Sequence, residues 1–400
     1  MIDDLTKLRR RVDKSPEDGD RWMALGCALI SQRHIDEARS ALEKATELSP
    51  ENPLAWNNLA SALRHSGQIE DTIYACEKAI SIDPEHAEAW FHLGDCRMLL
   101  GDFKEAYTCY EWRKRIPEVD MPGAHLEKPE WTGGKLDGRT VLVIAEQGFG
   151  DSIQYCRFVP ELKKRGAIVH LVVQSRLKTL FHSLEGVERV IGSGEMLPAF
   201  DLKAPLLNLP FLLGTDFNSL PAEVPYLAPS HRASAQARGR ISELEGLKIG
   251  LVWQGAEGTA ADRGRSFRLA DLNDLATIPD CHLYSFQKGP PRADIAKWPV
   301  GTQIRDLGGE LASFDDTAAW LENMDLVIAS DTAVAHLAGA LGRPTWLALR
   351  YVPAARWMIG RPDSPWYPTV RLYRQNRPDD WTSVFASISA DVRKLASTIG

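Results

Sequence analysis

Three tryptophans in the first quarter of the chain recur at a fixed spacing. Trp22, Trp56 and Trp90 are separated by 34 residues each time. Other positions recur in the same register, mostly small or apolar: Leu25, Leu59 and Leu93; Gly26, Ala60 and Gly94; Ala38, Thr72 and Ala106; Ala45, Ala79 and Arg113. Such a period is typical of short repeats, in which each unit buries its apolar face against its neighbours. The sequence therefore predicts that the chain begins with a stacked array.

This pattern resembles the tetratricopeptide repeat, a helix–turn–helix unit with small residues where its two helices touch. Pro50 and Pro84 close the first two units, and Pro117 falls one position early in the third. We expect an α-solenoid over 1–117, with units near 19–52, 53–86 and 87–118 and a capping helix over 3–13. Three units are about the minimum that buries a continuous core.

The repeats carry no residues that suggest chemistry of their own. One interpretation gives them a concave surface that binds a polypeptide partner, and the other makes them a structural or dimerising extension. The histidines of this region are dispersed and are interpreted as surface or packing residues: His34, His65, His86 and His92.

Composition limits the class of protein. The 400 residues contain 44% hydrophobic residues, enough for several buried cores, and carry a net charge of −7. That charge argues against a general nucleic-acid-binding protein. The charged N-terminus has no apolar segment of the kind found in signal peptides, and no run is long enough to cross a bilayer. The six cysteines are scattered without a CxxC pair, which favours reduced thiols and a cytoplasmic location.

Prolines and glycines between 117 and 134 mark a linker, after which the hydrophobic period changes. Seven apolar runs of strand length alternate with helical patterns: 140–145, 168–173, 188–191, 247–253, 282–286, 325–330 and 345–349. Helices are predicted over 151–165, 268–277 and 315–323. This alternation predicts two doubly wound parallel sheets. A polar break at 229–240 separates a first lobe, 118–230, from a second lobe, 231–400, with a C-terminal helix. A ligand cleft between the lobes is expected at the carboxyl ends of the strands.

Glycines and an aspartate follow the first predicted strand. The sequence Glu146-Gln147-Gly148-Phe149-Gly150-Asp151 leads into a helix, so that the backbone can turn tightly and approach a ligand. The pattern is not GxGxxG, and a dinucleotide-binding site is not expected. Asp151 is a candidate catalytic residue, and it is also a residue type that caps helices. The two roles are compatible.

A second motif follows the strand predicted at 325–330. Asp331 or Thr332 is expected to cap a short helix, and the free amide groups near Ala333 and Val334 then face the cleft. With the helix dipole behind them, these amides can hold a diphosphate without a metal ion. His336 lies one turn further on, and its spacing alone favours a packed core histidine.

Two further segments of the second lobe place polar groups after strands. The first contains Trp253 and Gly255, followed by Asp262, Arg263, Arg265 and Ser266, and the second contains Gln287 and Lys288. Arg265 and Lys288 are candidates for neutralising phosphate charge, or they are solvated loop residues. Trp253 either stacks on a nucleotide base or lies in the core.

Together, these residues resemble the ADP-heptose:lipopolysaccharide heptosyltransferases of glycosyltransferase family 9, in the branch fused to tetratricopeptide repeats. The resemblance lies in EQGFGDSIQYCRFVPELKKRGA (146–167), FDLKAPLLNLP (200–210), VPYL (224–227), GLVWQG (250–255), RSF (265–267), SFQKGP (285–290), SDTAVAHLAGALGRPTW (330–346) and DSPWYP (363–368). These motifs cover nearly all of the two predicted lobes.

The resemblance implies a GT-B fold and metal-independent, inverting transfer from a nucleotide sugar, with no cofactor. Asp151 matches the proposed catalytic base of that family. The donor would bind the second lobe through Trp253, Gly255, Arg265, Ser266, Gln287, Lys288, Asp331, Thr332, Ala333 and His336. The acceptor would lie against the first lobe near Gln147, Gly148, Gly150 and Gln154.

The chain departs from the family in ways that concern its substrates. Lys203 and Asn208 stand where the fused branch is expected to have a histidine and a serine, and the loop 256–264 is altered. Repeats ahead of a GT-B enzyme are similar to the architecture of O-GlcNAc transferase and of flagellin glycosyltransferases, which suggests a protein acceptor. The sequence leaves open a sugar-nucleotide hydrolase or epimerase, a catalytically silent adaptor, and oligomer formation through the repeats.

Overall fold

The computed structural model describes residues 4–241, 245–255, 264–299 and 303–398. The chain divides into two compact units. One unit comprises residues 1–119 together with 354–359, and the other comprises 120–353 and 360–400. The inclusion of 354–359 in the first unit was not predicted, because that segment is remote from the repeats in sequence.

The first unit is built from helix pairs. After α1 (Leu5–Lys14), the pairs are α2 (Gly19–Ser31) with α3 (Ile35–Leu48), α4 (Pro53–Ser66) with α5 (Ile69–Ile82), and α6 (Ala87–Leu100) with α7 (Phe103–Tyr110). The recurrent tryptophans have one structural role, because each indole N–H donates to the carbonyl of the proline six residues earlier. Each tryptophan thereby fixes the turn that precedes its helix pair.

Small residues lie where the paired helices touch, as the repeat pattern predicts. A methyl group added at Gly26 would lie 2.4 Å from Leu42 Cγ, so α2 and α3 approach closely only because Gly26 has no side chain. The third repeat ends differently. α7 has eight residues and passes into a 3₁₀ segment over 111–115, in which Arg113 is fully buried. Residues 354–359 complete this unit, where the Ile359 amide donates to the Leu99 carbonyl at 3.1 Å.

The second unit contains two parallel sheets, as expected. The first sheet has the order β3-β2-β1-β4, formed by β1 (Thr140–Ile144), β2 (Ile168–Val173), β3 (Arg189–Gly192) and β4 (Leu202–Pro205). Its helices are α8 (Phe149–Tyr155), α9 (Val159–Lys164), α10 (Lys178–Phe181) and α11 (Leu209–Leu213). The helix predicted over 151–165 is interrupted by a 3₁₀ turn at 156–158.

The second sheet has the order β10-β9-β8-β5-β6-β7. Its strands are β5 (Leu247–Val252), β6 (Cys281–Ser285), β7 (Ile304–Asp306), β8 (Leu326–Ser330), β9 (Thr345–Leu349) and β10 (Val370–Arg374). The accompanying helices are α12 (His231–Arg238), α13 (Phe314–Leu321), α14 (Ala333–Ala340) and α15 (Trp381–Ala396), and residues 269–277 are 3₁₀ rather than α-helical.

Lys203 has a structural role in the first sheet. Its ammonium donates to the carbonyls of Gly123 and Leu126 at 3.0 and 2.7 Å, which holds the linker against β4. Leu126 then packs on the apolar side chains of Leu142 and Ile144. The unexpected lysine is therefore explained by its contacts with the linker. Within the described ranges, no helix is both long and apolar enough to cross a membrane.

Candidate functional site

Each sheet of the second unit has a point at which its strand order reverses. In the first sheet this point lies between β1 and β4, and in the second it lies between β5 and β8. Ligands of open parallel sheets bind at the carboxyl ends of the strands that flank such a point. The flanking segments are 145–151 and 206–208 in the first lobe, and 253–255 and 331–333 in the second. Both sequence motifs singled out above therefore follow strands at reversal points.

The two motifs lie side by side. Gly150, the second residue of α8, faces the first turn of α14. A methyl group built at Gly150 would lie 2.8 Å from His336 Cδ2 and 3.6 Å from Ala333 Cα. Any larger side chain at this position would displace the His336 ring or one of the two helices. The predicted proximity of Asp151, the next residue in α8, to the start of α14 follows from this contact.

The first turn of α14 has hydrogen-bonding capacity to spare. Thr332 is the N-cap residue in an extended conformation, but its side chain makes no capping hydrogen bond. Its Oγ1 is buried and has no hydrogen-bond partner in the described part of the chain. The amides of Ala333 and Val334 have no acceptor among the described residues, and both residues are partly exposed. A helix start with free amides and a favourable dipole is suited to binding an anion.

Asp331 and His336 flank this turn. His336 is buried, and its Nε2 lies 3.7 Å from Asp331 Oδ1. The other ring nitrogen, Nδ1, lies 2.9 Å from the hydroxyl of Tyr367. The packed-histidine interpretation is thus confirmed. The ring edge formed by Cδ2 and Nε2 also faces Gly150 of the first lobe. Polar contacts on both nitrogens hold the imidazole in one orientation.

Asp151 is the third residue of α8. Its Oδ2 accepts a hydrogen bond from the amide of Gly148 at 3.0 Å, which confirms the capping interpretation. The residue is half-buried. Gln147 has a positive φ of 61°, and its carbonyl accepts from Gln174 Nε2 at 3.1 Å. These two contacts set the turn that places Asp151 next to α14.

Gln154 requires a correction. Its side chain is fully buried, so it does not lie on a surface that an acceptor would contact. Gln147 and Gly148 are exposed, and Gly150 is occupied by its contact with α14. Of the four first-lobe residues that the sequence analysis placed near an acceptor, Gln147 and Gly148 are therefore the exposed ones. A helical period alone does not show which face of so short a helix meets the other lobe.

Gln287 also differs from its predicted role. Its side-chain oxygen accepts from the amides of Trp253 and Gln254, and its Nε2 donates to the carbonyls of Gln254 and Lys288. These four bonds use the full hydrogen-bonding capacity of a primary amide. Gln287 therefore shapes the loops after β5 and β6, and its side chain has no capacity left for a donor sugar.

Two neighbours of Gln287 are likewise part of the scaffold. Trp253 is fully buried within the core of the second lobe, which confirms the core interpretation and excludes base stacking in this structure. The ammonium of Lys288 donates to the carbonyls of Gly308 and Leu311 at 3.0 and 2.5 Å. Burial, together with Arg176 and Arg292 nearby, lowers the pKa of Lys288. Lys288 is nevertheless an exposed loop residue, and these two bonds use two of the three N–H groups of its ammonium, so its role as a phosphate ligand stays a prediction.

The remaining donor-side predictions lie at one loop. Ser266 Oγ accepts from the Gly255 amide at 3.2 Å, and Arg265 is partly exposed beside it. Asp262, Arg263 and most of the loop 256–264 lie outside the described residues. The structure thus brings Gly150, which precedes Asp151 in α8, into contact with Ala333 and His336, and Asp331 and Thr332 lie in the same segment as these two. Trp253, Gln287 and Lys288 support loops of the second lobe.

One residue at this site was not predicted. Arg157 lies in the 3₁₀ turn after α8 and is almost fully buried. Arg157 stands among hydrophobic residues in the sequence YCRFV (155–159), and such a setting is a sequence signal for a buried, hydrogen-bonded guanidinium. Its contacts are described below.

Comparison with known proteins agrees with the two-part architecture. The tetratricopeptide repeat family matches residues 23–87 and, by a second description of the same repeat, residues 75–108. Protein FlbA of Caulobacter vibrioides is 26% identical over 326 residues, which cover 75% of this chain and 54% of FlbA. The chain thus spans about half the length of this curated relative.

Solved structures resemble the second unit. The glycosyl transferase family 9 protein from Veillonella parvula aligns with a TM-score of 0.50 at 11% identity, over 67% of this chain and 99% of that protein. Escherichia coli ADP-heptose lipopolysaccharide heptosyltransferase II aligns with a TM-score of 0.47 at 17% identity, over 65% of this chain and 99% of its own. The chain therefore combines tetratricopeptide repeats with a glycosyltransferase family 9-like fold.

Proposed function

We propose that this protein is an inverting, metal-independent glycosyltransferase. It transfers a sugar from a nucleotide sugar to an acceptor hydroxyl on a protein that the repeats recruit. The observation that carries the proposal is the start of α14. Two amides and a buried Thr332 hydroxyl lie there without a hydrogen-bond partner among the residues described, and this helix start contacts the helix that bears Asp151.

The donor phosphates bind at this helix start. The amides of Ala333 and Val334 and the Thr332 hydroxyl donate to phosphate oxygens, and the α14 dipole favours their negative charge. The charge that develops on the departing phosphate is stabilised by the same preorganised donors, without a metal ion. Asp331 and His336 flank this position from the same segment. The Asp331 carboxylate accepts hydrogen bonds from the sugar hydroxyls, and the His336 imidazole exchanges hydrogen bonds with them.

Asp151 acts as the general base. An acceptor hydroxyl oxygen attacks the anomeric carbon on the face opposite the phosphate and gives its proton to the Asp151 carboxylate. The new carbon–oxygen bond forms while the bond to the phosphate breaks, and the phosphate leaves with the electron pair. Attack from the opposite face inverts the anomeric configuration. A positioned base contributes about 10²–10⁴ to the rate of such a step.

The acceptor is a serine or threonine hydroxyl of a polypeptide. The repeats support this choice, since stacked helix pairs form extended surfaces of the kind that bind peptides. All six cysteines are free thiols, which is consistent with a reducing cytoplasmic location, where sugar nucleotides are made available to such an enzyme.

A catalytically silent adaptor is the second candidate. It is favoured by one observation, namely that backbone partners use the full hydrogen-bonding capacity of Gln287 and two of the three N–H groups of Lys288. In that case the α14 start would not bind a nucleotide, and the lobes would serve only as a platform.

Thermal melts with a panel of ligands distinguish the transferase from the adaptor. The panel contains nucleoside diphosphates, nucleoside monophosphates and sugar nucleotides, with pyrophosphate as the minimal probe. A specific ligand at a hundredfold excess over its dissociation constant stabilises the folded protein by about 2.7 kcal/mol, which is measurable as a rise in Tm. The transferase proposal predicts such a rise for at least one nucleotide, followed by product formation with a peptide acceptor. No rise with any probe would support the adaptor.

A further inference from the structure

Arg157 is held by four hydrogen-bond acceptors. Its Nε donates to the carbonyl of Gln154 at 2.8 Å, and Nη2 donates to the hydroxyl of Tyr226 at 2.8 Å. Its Nη1 donates both to the carbonyl of Pro221, at 3.1 Å, and to the carbonyl of Trp366. Only 4% of the residue is exposed. The guanidinium is thus almost fully bonded and removed from water.

The charge of Arg157 is stabilised by aromatic rings instead of a carboxylate. Among the residues that the structure describes, no acidic side chain lies within ion-pair distance of it. Instead, the guanidinium carbon lies 4.5 Å from the ring centres of Tyr226 and Tyr367. Burial alone would lower the pKa of Arg157, but the two tyrosines raise it overall. Burial raises the pKa of Tyr226 well above its usual value, so this hydroxyl remains neutral.

The partners of Arg157 come from both lobes. Arg157 and Gln154 belong to the first lobe, Pro221 and Tyr226 to the last part of that lobe, which leads into the second, and Trp366 to the second lobe. One of these partners, Tyr226, also bonds to both helices of the site. Tyr226 donates through its hydroxyl to the Ile153 carbonyl of α8, and through its amide to the Ala340 carbonyl of α14.

The aromatic contacts of Arg157 also connect it to the candidate site. Tyr367 stacks on the guanidinium of Arg157, and its hydroxyl contacts His336 Nδ1 at 2.9 Å. His336 in turn faces Gly150 and Asp331. The contacts of Arg157 therefore end on α8 on one side and on α14 on the other.

We infer that Arg157 is a positioning residue that holds the two lobes in register, so that Asp151 on α8 stays opposite the start of α14. This role rests on the proposed function, since it concerns the reaction assigned to those two helices. The planar guanidinium donates in several directions at once while its faces stack on aromatic rings. A lysine ammonium is a single point charge, and it cannot reproduce this geometry.

The test compares Arg157→Met and Arg157→Lys with a matched control, Arg165→Met. Arg165 also donates to two carbonyls, those of Gly133 and Leu213, and lies near an aromatic ring, that of Trp131. All of its partners lie in the first lobe. Arg165 is exposed and makes two hydrogen bonds where Arg157 makes four, so its variant controls for the loss of arginine–carbonyl and arginine–aromatic contacts within one lobe without affecting the junction.

Hydrogen exchange measured by mass spectrometry reports on the junction without requiring activity. In both Arg157 variants, amides of 149–158 and 363–368 should exchange about tenfold faster or more than in wild type and in Arg165→Met, because opening of the lobes exposes both segments. Equal exchange in the Arg157 and Arg165 variants would overturn the inference.

Kinetics separate this inference from the proposed function. The phosphate site on α14 lies within the second lobe, so nucleotide affinity in Arg157→Met should stay within about threefold of wild type, while kcat falls about 10²-fold through misplacement of Asp151. A positioning role would be contradicted if nucleotide affinity and kcat fell by the same factor in Arg157→Met, and if that factor matched the loss of folded protein. If wild type transfers no sugar, the proposed function fails, and the exchange measurement alone decides whether Arg157 joins the lobes.

Discussion

Gly150 in the first lobe is in direct contact with His336 in the second. The space beside the Gly150 Cα is filled by the imidazole edge, since a Cβ there would lie 2.8 Å from His336 Cδ2. The start of α8 and the start of α14 are thus packed against each other at the two points where strand order reverses. This contact places the candidate base one residue away from the surface of the candidate phosphate site.

Gly150→Ala should impair transfer strongly and stability modestly. The added methyl group forces α8 and α14 apart, and such overpacking costs about 1–3 kcal/mol of unfolding free energy. Because a displacement of about 1 Å can cost about 10²-fold in rate, we expect kcat to fall by that order. The control is Gly134→Ala, since a methyl group there meets no atom within 4 Å. Unchanged kcat in Gly150→Ala would show that the contact is not needed for the reaction.

Asp151→Asn should lower kcat by about 10²–10⁴-fold while leaving nucleotide binding intact, because only the proton acceptor is lost. The matched control is Asp271→Asn. Asp271 holds the same capping position in the 3₁₀ segment 269–277, where its Oδ2 accepts from the Arg268 amide. Transfer rates with a confirmed donor and acceptor provide the measurement. Asp151→Asn acting at the wild-type rate would remove Asp151 as the base.

Thr332→Val should weaken nucleotide binding without destabilising the protein. The hydroxyl makes no hydrogen bond to any described residue, so its replacement by a methyl group of similar shape leaves the unfolding free energy nearly unchanged. Loss of one hydrogen bond to a phosphate lowers affinity about tenfold or more. Titration calorimetry measures the nucleotide affinity of the wild type and of Thr332→Val. Ser330→Ala, which removes another buried and unpartnered hydroxyl, is the control and should bind as wild type does.

The repeats should lose stability as the pH falls through the range in which His92 titrates. Burial, reinforced by Arg64, lowers the pKa of His92 from 6.5, while Nδ1 lies 3.0 Å from Asn57 Oδ1. The unfolded chain therefore takes up the proton first, and stability declines from about pH 6.5 down to the folded pKa. Thermal melts should show a smaller loss on acidification in His92→Gln than in wild type. The exposed His34→Gln variant should follow wild type, and identical profiles for all three proteins would contradict the assignment.

The sequence predicted the architecture because its signals are periodic. The 34-residue recurrence of Trp22, Trp56 and Trp90 depends on a hydrogen bond that each repeat makes in the same way. The alternation of apolar runs and helices likewise predicted the two parallel sheets. Three strands were missed, and each has a physical reason. β4 and β7 are only four and three residues long, and β10 alternates with charged residues, as VRLYR.

The site was predicted less completely, because side-chain roles depend on partners that are remote in sequence. Gln287 and Lys288 follow a strand, as ligand-binding residues do, but their polar groups bond to Gln254 and Gly308. Arg157 lies within a recognised motif, yet its partners Tyr226 and Trp366 are 69 and 209 residues away. Nothing in the local pattern shows such pairings. In contrast, the start of α14 was predictable because an unpaired helix end is a property of the local chain.

The most direct test of the phosphate site removes one backbone amide. Ala333→Pro deletes the N–H at the first position of α14, where proline is well tolerated, and the extended Thr332 before it (φ −135°, ψ 166°) suits a following proline. Ala87→Pro is the control, since Ala87 opens α6 as Pro53 opens α4. Calorimetric titration of the best nucleotide and of pyrophosphate should show affinity reduced about tenfold or more in Ala333→Pro alone. Equal affinity in wild type and both variants would contradict phosphate binding by α14.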